Sequence, residues 1–124
     1  MIRLDKMTRS LQANLAGAVA ANQPQCVVCF YDIPRQSKED FSEYQGAMQE
    51  TNTNDGTDVT ICAAPPVNGT IRNIDFVSVY NKDTAAVIVT VKVDNSTTES
   101  ILKKQELSPG QTLHYEDGAG WQVV

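Results

Sequence analysis

Valine occupies every second position from Val87 to Val93, with Ile88, Thr90 and Lys92 between. In an extended chain, residues i, i+2 and i+4 share a face, whereas the same spacing on a helix winds round all sides. The run therefore predicts a half-buried antiparallel strand, with Val87, Val89, Val91 and Val93 inward and Thr90 and Lys92 towards water. The bias reaches beyond this segment. The chain holds 13 Val, 7 Ile and 11 Thr against 6 Leu. Stiff β-branched side chains suit a pleated strand and disfavour a helix. The expected class is all-β.

Turn chemistry divides the rest into short strands. Leu11–Val19 reads as a strand that ends before the turn cluster Asn22-Gln23-Pro24, and Cys26–Asp32 reads as the next. Asp58–Ala63 is stopped by Pro65-Pro66, which cannot continue a ladder. Ile71–Tyr80 is expected to turn Ile74, Phe76 and Tyr80 inward, with Asn73 and Asp75 opposite. Turns at 81–84, 94–97, 108–110 and 117–120 bound strands at Ser100–Leu107, Gln111–Glu116 and Trp121–Val124. Seven or eight short strands at this spacing indicate one two-sheet sandwich, jelly-roll-like or immunoglobulin-like. Its expected organisation is an N-terminal arm over residues 1–10 and a sandwich over 11–124, with a polar insertion at about 34–57. Within that insertion Phe41, Tyr44 and Met48 recur at helical spacing, and Pro34–Glu50 reads equally as a loop or a short helix.

No catalytic pattern stands out. The single histidine, His114, shares a strand face with Thr112 and reads as solvent-facing. No nucleophile elbow, zinc-protease motif or phosphate-cradling glycine loop accompanies it. Cys26 and Cys29 are spaced like a redox or zinc pair, yet on a strand residues three apart point to opposite faces. With Cys62 they make an odd count, which reads as buried small hydrophobes in a reducing compartment. Thr51–Asp58 fits a calcium loop poorly, because no Glu closes it, and reads as a polar turn. Neither catalytic residues, metal nor cofactor is expected. The two Asn-x-Ser/Thr sequons, at Asn68 and Asn95, are no more than chance supplies in an Asn- and Thr-rich chain.

The 124 residues suit one domain, and such a length buries about two-thirds of the unfolded surface without a staple. A net charge of −5 lacks the basic footprint of a nucleic-acid binder or of a protein seated on an anionic membrane. No apolar run approaches the ~20 residues of a spanning helix. The N-terminal residues are too polar for a secretory leader. A small acidic sandwich of this kind is expected to work through its surfaces and strand edges.

Three stretches carry a family likeness: Leu15-Ala16-Gly17-Ala18-Val19-Ala20-Ala21-Asn22-Gln23-Pro24 before the strand Cys26–Asp32; Ile61-Cys62-Ala63-Ala64-Pro65 leading into Arg72–Thr84; and the ending Leu107-Ser108-Pro109-Gly110 through Trp121. Together the chain resembles small structural proteins of tailed-bacteriophage virions, above all capsid decoration (cement) proteins. The resemblance implies a β-sandwich made in the host cytoplasm and carried on the outer capsid surface. There it would bind the major capsid protein and itself, as a dimer or trimer, without catalysis. A small tail or head-fibre component with a receptor- or carbohydrate-binding role is the alternative. Pro34–Glu50 departs from the Thr-rich linker usual in such proteins. The residues expected to meet a partner are the apolar ones of the arm and its continuation, Ile2, Leu4, Met7 and Leu11, with Phe41, Tyr44 and Met48 as a second group. Few aromatics are expected outside the core, since Phe76, Tyr80 and Tyr115 fall at inward positions.

Overall fold

The computed structural model describes residues 1–34 and 45–124. Among the described residues ten strands run in chain order: β1 (Ile2–Leu4), β2 (Ser10–Leu15), β3 (Gln25–Pro34), β4 (Gln45–Asn52), β5 (Val59–Cys62), β6 (Thr70–Tyr80), β7 (Val87–Asp94), β8 (Glu99–Leu107), β9 (Thr112–Glu116) and β10 (Gly120–Val123). They form two antiparallel sheets packed as a sandwich. Sheet A has the order β10-β9-β6-β3-β4, with β1 also paired to β6; sheet B has the order β5-β2-β7-β8. Among the described strands, β3–β4, β7–β8 and β9–β10 are the consecutive pairs that lie side by side in one sheet. Every other connection crosses between the layers.

The valine strand behaves as its alternation predicts. Val89 and Val91 are fully buried, Val87 nearly so, and Val93 packs against the same core. From β2, Leu11, Ala13 and Leu15 stand opposite Val93, Val91 and Val89. Sheet A contributes Cys26, Val28, Ile74, Val77, Val79 and Leu113 from the other side. Burying each large aliphatic side chain contributes about 1.5–3 kcal/mol, so this layer supplies most of the folding force.

One flank of the sandwich is closed by side chains. Gln49 on β4 donates from Nε2 to the Thr60 carbonyl at 3.3 Å and accepts from the Ala63 N–H at 3.0 Å. Arg72 donates to both carboxylate oxygens of Asp32, at 2.8 and 2.9 Å, and to the Ala63 carbonyl at 2.8 Å. Its guanidinium also lies 4.1 Å from the Phe30 ring centroid. The long β2–β3 connection is pinned in two places. Asp83 accepts the N–H groups of Ala20, Ala21 and Asn22 at 2.8–3.0 Å. Asp55 accepts from Val19 N–H and from the Gln23 carboxamide. Both bonds fall on Asp55 Oδ1; Thr51 and Asn52 close β4, and the chain turns at Asn54–Thr57.

The structure corrects several expectations. Residues 1–10 are no free arm: β1 pairs Ile2 with Ile74 and Leu4 with Arg72. Leu4 is fully buried and Ile2 only 8% exposed. Strand β2 stops at Leu15 rather than Val19: Ala16 N–H makes a last bond along the β7 ladder, to the Ile88 carbonyl, and beyond it Asp55 and Asp83 take over the chain. Residues 45–52 are an integral strand of sheet A rather than part of an insertion, so Met48 sits on a strand and not on a loop or helix. Lys92 points away from the core yet is buried, because Asp58 at 2.7 Å and Glu99 at 2.8 Å cover it.

Strand β6 differs in the most consequential way. Cys29 pairs with Phe76 but Phe30 pairs with Ile74, so Asp75 is an extra residue, a β-bulge. Its carbonyl accepts the Asp117 N–H at 3.0 Å. Alternation restarts one residue later, which sends Val77 and Val79 inward and turns Phe76 and Tyr80 outward.

Candidate functional site: the outer face of sheet A

The bulge creates a surface. Cross-strand partners share a face, so the rows can be followed across sheet A. Phe76 stands beside Cys29, and Cys29 beside Met48. The next row runs from His114 through Ser78 and Val27 to Glu50. Towards the other end Ile71 stands beside Ile33, and Asn73 beside Tyr31. Val27, Cys29, Tyr31, Ile33, Ile71 and Phe76 are half-buried, while Met48 is 57% and Tyr80 41% exposed. The result is an apolar band across β6, β3 and β4, bordered by the carboxylates of Glu50 and Glu116. Among the described residues no third layer of strands covers it.

The outer face of sheet B is built differently. Asn14 donates to Asp58 at 2.7 Å and Gln12 to Asp94 at 3.1 Å. Lys92 ties Asp58 to Glu99, and these contacts raise the lysine pKa and lower that of Asp58. Although Gln12 Oε1 is covered without a partner and Ile101, beside Lys92, is 66% exposed, that face ties most of its polar groups to one another. The face of sheet A does not. Contiguous apolar surface of this kind marks contact with another molecule.

His114 lies on the same face as the apolar band. Its ring meets Phe76 edge-on at a centroid distance of 4.9 Å. Its Nε2 is covered and has no hydrogen-bond partner, the nearest carboxylate oxygen being that of Glu116 at 4.0 Å. The histidine is thus half-buried rather than freely solvated, with Ser78 as its cross-strand neighbour. Cys26 and Cys62 are buried in the core, where desolvation pushes their thiols up to about 12 and about 11. Cys29 points to the opposite face, as strand geometry requires, and all three cysteines are unpaired by disulfides. Among the described residues no cluster of three or more His, Cys, Asp and Glu side chains forms a metal-binding group.

The sequence-predicted contact residues separate. Ile2, Leu4 and Leu11 lie in the core of their own chain and are unavailable to a partner. Met7 is 52% exposed in the β1–β2 connection, and Met48 belongs to the apolar band. Phe41 and Tyr44 lie outside the described residues. Missed from sequence were Val27, Cys29, Ile33, Ile71, Phe76 and Tyr80. One signal was present: Ile74-Asp75-Phe76-Val77 sets apolar residues on both parities around an aspartate, a residue strands disfavour. No family model, no curated protein and no solved structure matches the chain.

Proposed function

We propose that the chain is a structural protein of a tailed-bacteriophage virion, a capsid decoration protein that seats the outer face of sheet A on the shell of major capsid protein. The observation that supports this reading is the contrast between the two outer faces: sheet B presents a largely paired polar network broken by Ile101, sheet A an apolar band with acidic residues at its border. A surface of that make-up gains by excluding water against an apolar ridge flanked by basic residues. Small contacts of this kind become strong when repeated over a lattice, through effective concentration. In this reading the protein sits on the outer capsid surface, associates with itself as a dimer or trimer, and transforms no molecule.

The fibre alternative gains from one feature. Phe76 and Tyr80 face outward rather than into the core, and exposed aromatics are the usual platform for stacking a sugar ring. Copy number separates the two readings. Hundreds of copies per purified particle mean lattice cement; three to a few dozen mean a tail or fibre part. A Met48→Ser/Tyr80→Ser double variant, altering two exposed side chains, is expected to stay folded and to lose occupancy on heads. Undiminished occupancy of that variant defeats the assignment of this face.

A further inference from the structure

Besides its faces, the sandwich has edges. Among the described strands sheet A ends at β4 and β10, sheet B at β5 and β8. An unpaired edge recruits another chain unless something blunts it. The flank between β4 and β5 is bridged by Gln49, which takes the Thr60 carbonyl and the Ala63 N–H. β8 is interrupted by an extra residue, Leu102, and its Lys103 stands opposite Val91, on the core-facing side, where a charge opposes an added strand. β10 has neither device. Its register against β9 runs unbroken from Gly120 to Val123, and residues 118–124 hold no charged side chain and no proline. Its one restraint is its length of four residues.

The hydrogen-bonding groups of that edge follow from the ladder beside it. Thr112 and Val124 exchange both backbone bonds, at 2.8 and 2.9 Å. Bonded and non-bonded pairs alternate in an antiparallel ladder, so His114 and Gln122 are the next bonded pair. Trp121 and Val123 therefore turn their N–H and C=O groups away from β9, towards the open side. Their side chains share the core-facing side with Tyr115 and Leu113. Yet Trp121 is only partly buried against the core, and Val123 is 38% exposed. The edge is apolar as well as unpaired. A chain of net charge −5 repels its own copies over much of its surface, and an uncharged edge is where two of them meet at least cost.

We propose that β10 is the self-association edge of this protein: two copies pair their β10 strands antiparallel, about a two-fold axis at Gln122. Trp121 of each copy then exchanges both backbone bonds with Val123 of the other, and every free group of the edge is used. A register centred on Trp121 sets Val123 against Ala119, whose N–H is already given to the Glu116 carbonyl. The axis stands perpendicular to the sheet, so both outer faces of sheet A lie on one side. This pairing rests on the edge alone; if that face seats on a lattice, the dimer presents two bands to it at once.

In such a dimer Gln122 meets itself, and the test exploits this. Its side chain is exposed on the outer side of β10, so substitutions there leave the core intact. Sedimentation equilibrium of the full chain is expected to show reversible monomer–dimer association. Gln122→Glu and Gln122→Lys are each expected to weaken it about fivefold at low salt, because like charges then stand directly opposite. An equimolar mixture of the two is expected to associate more tightly than either alone. Gln122→Cys in a Cys29→Ser background is expected to give a disulfide-linked dimer with oxidised glutathione, since non-bonded antiparallel pairs bring Cα atoms to about 4.5 Å. Val67→Cys, 61% exposed in the β5–β6 connection, is expected to stay monomeric under the same treatment. A native chain that remains monomeric up to about 1 mM overturns the proposal. One charge weakening association while the other strengthens it overturns the two-fold pairing, as does a mixture no tighter than its components. None of these outcomes bears on the outer face of sheet A, which the Met48→Ser/Tyr80→Ser variant tests on heads.

Discussion

Leu4→Ala tests whether the first residues belong to the fold or to a detachable arm. Leu4 is fully buried on a strand of three residues and stands opposite Arg72. Truncating a buried leucine costs about 3–5 kcal/mol where the surroundings hold rigid. Here β1 is short, has one neighbour and can settle inward, so the expected loss is about 2–3 kcal/mol. That is a 30- to 150-fold fall in the folded-to-unfolded ratio, at about 1.4 kcal/mol per tenfold. With about 2.1 cal/mol/K of unfolding entropy per residue over 124 residues, the midpoint falls by about 8–12 °C. Urea denaturation with linear extrapolation measures it, with the slope m unchanged if the native state keeps its shape. Met7→Ala is the control: Met7 is 52% exposed, and its loss is expected within about 0.5 kcal/mol of zero. If the two variants unfold at the same urea concentration, β1 carries no core weight and the reasoning is wrong.

Three further expectations rest on single contacts. Asp32→Ala strips the carboxylate from the buried guanidinium of Arg72, leaving it the Ala63 carbonyl and the Phe30 ring. Because the Asp32 side chain is 23% exposed, the expected loss is about 2–3 kcal/mol, below that of a fully buried pair. Arg72→Met, which removes the charge and keeps apolar bulk on Phe30, is expected to lose less, and equal chemical-denaturation midpoints contradict the account. Asp83 is held down to about 2 by the N–H groups of Asn22, Ala20 and Ala21. A carboxylate depressed by folding contributes its stability above the unfolded value near 3.9 and loses it as pH falls towards the folded value. Wild type and Asp83→Asn are therefore expected to differ by a constant amount above pH about 4 and to converge towards about 2; a difference independent of pH across that window excludes the mechanism. Iodoacetamide at neutral pH is expected to alkylate Cys29 alone in the native protein, since burial raises the other two thiols to about 12 and about 11. Mass mapping that finds Cys26 or Cys62 modified before unfolding refutes this, and on assembled particles docking through sheet A is expected to protect Cys29 as well.

Much of the architecture was legible without coordinates, and for one reason. Binary alternation and turn chemistry are local, so Val87–Val93, the stop at Pro65-Pro66 and the 108–110 turn could be located from their own residues. The all-β class followed from β-branched content, and the opposite-facing Cys26 and Cys29 followed from strand geometry alone. Pairing between strands is not local. Whether Ile2 and Leu4 are anchors for a partner or core depends on finding β6 some seventy residues away, and their hydrophobicity is the same in both cases. Likewise the helical spacing of Tyr44 and Met48 carries no information about the edge of β3, against which residues 45–52 pair.

The candidate surface turns on a still smaller tertiary fact. Composition and periodicity determined that this chain makes a sandwich of short strands with valine at its centre. Only the three-dimensional pairing decided which side chains lie outside it. One residue, Asp75, is spare opposite β3 because its carbonyl is bound by Asp117 and its neighbours must match Cys29 and Phe30. Side chains in a strand repeat every two residues, so a shift of one reverses every position beyond it. That reversal moved Phe76 and Tyr80 from the expected core to the surface, and no property of those two residues alone encodes it.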